Sequence, residues 1–264
     1  MACFKLNYPK ETLRRAQGRL MKNALLIRDL FDAENISYSI GFGSLLGAVR
    51  HGGFVPWDDD FDFFIDRRNY DHAISILERE LPPTLMVHSI KTDPLYFHCW
   101  ARVKDTTVEV VPTKKFHPDN EKLKFQYLSI DLHPLDRILF KNARTYLHNH
   151  AKAFYDRKLN SGLITPKEYR EGTCNIDSYV ESKAKNFSTS LQDDTEVLFY
   201  PVALPTPLLT NDFYPLKSIQ FGKESFMGPN KPREILTKLY GDFMSIPNFS
   251  ERQLSYQSVY FKKN

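Results

Sequence analysis

GFGSLLGAVRHGGFVPWDDDFDFFIDR, residues 41–67, carries five acidic residues towards its end, and Asp58, Asp59 and Asp60 are consecutive. The whole chain has a formal charge of +4, so this local excess of carboxylate runs against its average. Two carboxylates in contact repel by roughly 4 kcal/mol at an effective dielectric near 20. On a strand, residues two apart share a face, so Asp60 and Asp62 are expected to point the same way while Phe61 and Phe63 turn into the core. Like charges held parallel at the start of a buried strand call for a cation. A hard divalent ion such as Mg²⁺ is suited by a few carboxylates and the phosphate oxygens of a substrate. A hydrated surface turn has no reason to interleave its acids with Phe61, Phe63, Phe64 and Ile65. An EF-hand loop fails too: Phe63 stands where its Gly is required, and Asn69 where its last Glu belongs.

Upstream, Tyr38 to Phe42 reads as a short strand, and Gly43-Ser44 opens a turn into a helix through Leu45, Leu46 and Val49. Glycine lets a ligand approach the backbone, and N–H groups at a helix start favour a phosphate. No Gly-Lys-Ser/Thr follows, so this is not a Walker loop. Coupled to the following Asp-x-Asp, the turn reads as a phosphate cradle facing a metal platform.

Working outward, Leu13, Ala16, Leu20, Ala24, Ile27 and Phe31 predict a long amphipathic helix after Pro9, ended at Asn35. A further helix is expected from Tyr70 to Leu81. Strands are expected at Phe61–Ile65, Leu85–Ile90, Tyr96–Val103, Thr106–Val111 and Tyr127–Leu132. A polar helical stretch from Asn142 to about Asn186, a hairpin over Ile219–Met227 and a helix over Pro232–Tyr240 complete the reading. The hydrophobic fraction of 42%, with 20 Phe and 14 Tyr, is ample for a packed core and excludes wholesale disorder. The modest charge permits an anionic substrate and does not call for nucleic acid. Cys3, Cys99 and Cys174 are scattered, which argues against a disulfide framework and a cysteine zinc site. The N-terminal residues lack an apolar signal region, and no apolar run approaches the ~18 residues that span a bilayer. The expectation is a cytoplasmic protein that works at the inner face of a membrane, and the Asn-x-Ser sequons carry no weight.

The string GSLLGAVRHGGFVPWDDDFD resembles the LicD family of phosphotransferases, which also takes in fukutin-like proteins. The family's common form is approximately G-T-L-L-G-A-x-R-H-x-G-F-I-P-W-D-D-D-x-D, matched here with Ser44 for Thr and Val55 for Ile. YLSIDLHPLD (127–136) stands in the place of a D-I-F-P-L-D strand, and LTKLYGDFMSIP (236–247) adds a late match. Leu132-His133 replaces the usual Ile-Phe. The resemblance runs from about residue 10 to 247 and is thinnest between 140 and 215.

It implies an α/β (α+β) fold: a nucleotidyltransferase-like mixed β-sheet core over 1–140, flanked by helices, with a mainly helical 141–264 packed on it as one domain. It also implies Mg²⁺ or Mn²⁺ as cofactor, with Asp60, Asp62 and Asp131 as catalytic and metal-holding carboxylates. Asp131 is the expected acceptor of the substrate hydroxyl's proton. Gly43, Ser44, Arg102 and Lys104 are expected at the nucleotide and phosphates. Arg50 either neutralises donor phosphate or pairs with Asp58, and Asp58, Lys223 and Asp242 fit supporting positions. The implied reaction moves phosphocholine from CDP-choline onto a hydroxyl of a cell-surface glycan such as lipopolysaccharide, teichoic acid or capsule. Transfer of a polyol or sugar phosphate from another CDP-activated donor, and nucleotidyl transfer with release of pyrophosphate, are the alternatives. An inert scaffold on the same fold is disfavoured by the intact acidic set.

Overall fold

Leu13, Ala16, Leu20, Ala24, Ile27 and Phe31 all lie buried on one side of helix α1 (Lys10–Ala33), as their spacing requires. The structure is a computed structural model that describes residues 9–114, 118–184, 187, 191–200, 207–252 and 254–262. Cys3 and the Asn186 sequon lie outside these residues. Asn35 adopts a left-handed conformation (φ 55°), which ends α1 and turns the chain into strand β1 (Tyr38–Ile40).

Helix α2 (Phe42–His51) follows, and Gly52 closes it with φ 67°. Strand β2 (Phe61–Asp66) is buried at every position, so its apolar run does not alternate. Helix α3 (Arg67–Glu80) begins three residues earlier than its apolar spacing suggests, because the Asp66 side chain accepts from the Arg68 N–H and caps it. Strand β3 (Leu85–His88) leads to β4 (Ala101–Pro112). The two strands expected over 96–111 are thus one strand that starts late, with a register shift against its neighbour between Asp105 and Glu109. Residues before it are held off the sheet by Asp93, whose carboxylate takes the Leu95 and Lys124 N–H groups and contacts His88.

Strand β5 (Tyr127–Leu139) is the centre of the sheet, parallel to β2 and antiparallel to β4. It continues through Pro134 where an end was expected at Leu132. On the edge facing β4, Pro134 falls between Leu132, partner of Ala101, and Asp136, the first partner of the next strand. Helices α4 (Ala143–Asn160), α5 (Pro166–Thr173) and α6 (Ile176–Ala184) fill the polar stretch. Strands β6 (Glu196–Phe199) and β7 (Leu208–Leu209) extend the far end of β5, and a short helix α7 (Thr210–Phe213) follows. The hairpin β8 (Lys217–Phe221) and β9 (Glu224–Gly228) and helix α8 (Pro232–Tyr240) lie where the sequence places them.

The last strand, β10 (Tyr256–Phe261), returns to pair with β4, giving the order β1-β2-β5-β4-β10. One core therefore runs from Leu13 to Val259, and a second lies under α4 and α6 around Leu147, Val180 and Phe199. Helices dominate 143–184, while 196–261 supplies strands to two sheets. Among the described residues no helix is long and apolar enough to cross a membrane.

What fixes the start of β10 is the acidic stretch itself. Asp59 is fully buried and accepts the Ser255 N–H at 2.7 Å and the Tyr256 N–H at 3.1 Å. Hydrogen bonds to a charged group each contribute about 1.5–3 kcal/mol. Asp59→Ala should accordingly lower unfolding free energy by about 3–6 kcal/mol in urea titrations; a loss under ~0.5 kcal/mol would show that β10 is held by other contacts.

Candidate active site

The parallel register of β2 and β5 sets Asp62 directly opposite Asp131, and the antiparallel register of β4 sets Arg102 opposite Asp131 on its other side. A row of Asp62, Asp131 and Arg102 thus crosses three adjacent strands, with Lys104 opposite Ser129 beside it. These residues lie at a cavity of about 1080 Å³ that Asp58, Asp60, Gly43 and Arg50 also line.

Asp62 is held from three directions. Its own N–H donates to Ser44 Oγ at 2.9 Å, its carboxylate takes a hydrogen bond from the Gly43 backbone, and His133 Nε2 lies 3.2 Å from its Oδ1. The Gly43-Ser44 turn, read as a phosphate cradle, is therefore spent on positioning Asp62; Ser44 is buried and is not at the cavity wall. The left-handed conformation here belongs to Phe42 (φ 37°), not to Gly43. An added Cβ at 43 would collide with the Asp58 carboxylate, so that side chain would have to move from its place at the cavity.

The three consecutive acids divide their tasks. Asp59 holds β10, whereas Asp58 and Asp60 face the cavity and hydrogen-bond to each other, and Asp60 Oδ2 also accepts from Ser255 Oγ at 2.8 Å. Burial, followed by repulsion from neighbouring carboxylates, pushes Asp58 and Asp62 well above the usual carboxylate range. Burial also raises Asp60, against the hydrogen bonds it accepts.

Asp131 behaves oppositely. Burial raises it, but Arg102, His133, Lys104 and the Trp100 hydrogen bond outweigh that and hold it below its ordinary value. Arg102 Nε lies 3.0 and 3.2 Å from its two oxygens, and Trp100 Nε1 donates at 2.8 Å. A carboxylate so stabilised is a weak proton acceptor, which counts against its expected role as general base. Lys104 is buried and donates to the Tyr127 carbonyl at 3.0 Å; burial, then repulsion from Arg102, lowers it to about 7.

Three expected contributors stand differently. Arg50 Nη1 donates to the Phe243 and Ser245 carbonyls at 2.8 and 3.1 Å, and its Nε contacts His51, so it ties α2 to the 243–245 loop instead of pairing with Asp58. Asp242 is exposed at the cavity rim. Lys223 sits exposed at the β8–β9 turn, outside the cavity lining.

The donor set suits a divalent cation. Asp62, Asp131 and His133 bring three ligand atoms within 4.8 Å of one another, and carboxylates raised by mutual repulsion are what a bound cation would relax. His133 was registered in the sequence only as a departure from Ile-Phe; the parallel pairing that carries it to Asp62 was not legible there. Trp100 gave no signal at all.

The LicD/FKTN/FKRP nucleotidyltransferase-domain family matches residues 35–150, a span that holds every residue of the row. Over residues 35–150 the chain is similar to that family. The lipopolysaccharide cholinephosphotransferase LicD of Haemophilus influenzae is 39% identical over 71 residues, 27% of each chain. Uncharacterized proteins of Rickettsia typhi and Rickettsia prowazekii are 35% and 30% identical over 118 and 133 residues, covering 33% and 48% of their lengths. The matches thus span between about a quarter and a half of these relatives.

Because Asp62 binds its proton more tightly folded than unfolded, the folded chain holds more protons above the ordinary carboxylate range near pH 4, and stability falls as pH rises. In chelator-treated protein, Asp62→Asn should therefore match or exceed wild-type stability at pH 7 and flatten that decline. A variant markedly less stable at pH 7 under chelator would contradict this electrostatic account.

Proposed function

We propose that this protein transfers phosphocholine from CDP-choline to a hydroxyl of a cell-surface glycan, releasing CMP. The observation that carries the reading is the row of Asp62, Asp131 and Arg102 across adjacent strands at the base of a cavity, inside the LicD match. The name of the Haemophilus influenzae relative supports the transferred group and the kind of acceptor.

A Mg²⁺ or Mn²⁺ ion held by Asp60, Asp62 and Asp131 would offset the negative charge of the donor's diphosphate as CMP leaves. Arg102 fixes Asp131 in place and keeps it ionised. Lys104, lowered to about 7 in the free chain, regains its full charge beside a diphosphate and contributes a cation at the cavity wall. With Asp131 a weak base and Asp60 assigned to the cation, Asp58, which faces the cavity, would take the acceptor hydroxyl's proton after the bound cation has displaced the proton it shares with Asp60. Gly43 keeps Asp58 free of a side-chain collision at that point.

The test is product analysis with labelled CDP-choline and with CTP, each beside a glycan acceptor. CMP should appear from CDP-choline, and Asp131→Asn, assayed well below its lowered melting midpoint, should reduce the rate by at least about 1,000-fold. Pyrophosphate release from CTP, with no CMP from CDP-choline, would assign nucleotidyl transfer instead.

A further inference from the structure

We propose that His133 is itself a ligand of the cation centre, completing a nitrogen–oxygen set with Asp62 and Asp131 that favours Mn²⁺ over Mg²⁺. The inference rests on the metal reading above but not on the identity of the donor or acceptor.

Three observations carry it. The ligand atoms of Asp62, Asp131 and His133 all lie within 4.8 Å of one another, close enough for one ion to reach each. Asp131 and His133 are two apart on β5 and share a face, and the parallel register puts Asp62 opposite Asp131. His133 is only 3% exposed, its Nε2 lies 3.2 Å from Asp62 Oδ1, and its Nδ1 has no hydrogen-bond partner. Binding through Nε2 would move the ring proton to Nδ1, which has no hydrogen-bond partner to oppose it, and would replace the Nε2 contact with Asp62.

The ring is also pre-positioned. Phe42 packs edge-on at 5.0 Å and Trp100 lies at 4.9 Å between centroids, while Trp100 Nε1 holds Asp131. One aromatic wall thus orients two ligands. Asp58, Asp59 and Asp60 form a second close group of carboxylates, but it offers no nitrogen ligand.

The chemistry then discriminates between ions. Mg²⁺ prefers oxygen ligands and keeps several waters, whereas imidazole suits first-row transition ions, which bind N/O sites more tightly. A phenylalanine at this position, as in the D-I-F-P-L-D form, provides no such ligand.

The test uses the full chain, stripped with chelator and titrated calorimetrically with Mn²⁺ and with Mg²⁺, as wild type, His133→Phe and His133→Gln. Wild type should bind Mn²⁺ at least about tenfold more tightly than Mg²⁺. His133→Phe should lose most of that ratio through weaker Mn²⁺ binding, with Mg²⁺ affinity changed less than about threefold. Pulsed electron paramagnetic resonance on the Mn²⁺-loaded wild type should show coupling to a protein ¹⁴N nucleus, a readout that stands even where His133→Phe fails to fold. Mn²⁺ bound without ¹⁴N coupling, or an unchanged ratio in a folded variant, would make His133 a hydrogen-bonding support of Asp62 and overturn the proposal. Wild type that binds neither ion would instead bring down the metal reading itself.

Discussion

Asp62 and Asp131 stand opposite each other on adjacent parallel strands, and much of the molecule is arranged around that repulsion. Two carboxylates at contact distance cost roughly 4 kcal/mol, and neither can escape to water from the middle of a buried sheet. The protein treats them unequally. Asp131 receives a guanidinium and an indole N–H and stays ionised. Asp62 receives a backbone N–H and a neutral imidazole, which leaves it raised and dependent on a further positive charge. Such an asymmetric pair leaves a place where a cation would be favoured.

The framework that enforces this geometry is apolar. Phe61, Phe63 and Phe64 alternate with or follow the acids and are nearly inaccessible, so β2 cannot slide or rotate to separate its charges. The two ends of the chain close the frame: α1 packs in the same core as β10, and Asp59 couples the acidic stretch to the start of that last strand. A triplet of aspartates that looks uniform is one structural anchor flanked by two carboxylates turned to the cavity.

Periodicity made α1, α8 and the β8–β9 hairpin legible, because each is specified by local spacing and turn residues. The Asp-x-Asp alternation likewise announced a charged face on a buried strand. Long-range facts were not legible. Asp59 meets partners 196 and 197 residues away, and His133 reaches Asp62 across 71 residues through a parallel pairing that no local pattern encodes. Gly43-Ser44 illustrates the middle case: the turn was recognised, but its hydrogen bonds run to Asp62 where a ligand was expected. Arg50 is similar, since a cation near an acidic cluster suggests an ion pair and the nearer carbonyls of the 243–245 loop take it instead.

The central claim is that the carboxylates at the base of the cavity are built to be relieved by a divalent cation. The most direct measurement is the melting midpoint of the unmodified chain in chelator against saturating Mg²⁺ or Mn²⁺ at constant ionic strength. An ion present at 100 times its Kd adds about 2.7 kcal/mol, which for a chain of this size raises the midpoint by roughly 5–10 °C. A rise of that order is the predicted result; a midpoint indifferent to both ions would contradict the account.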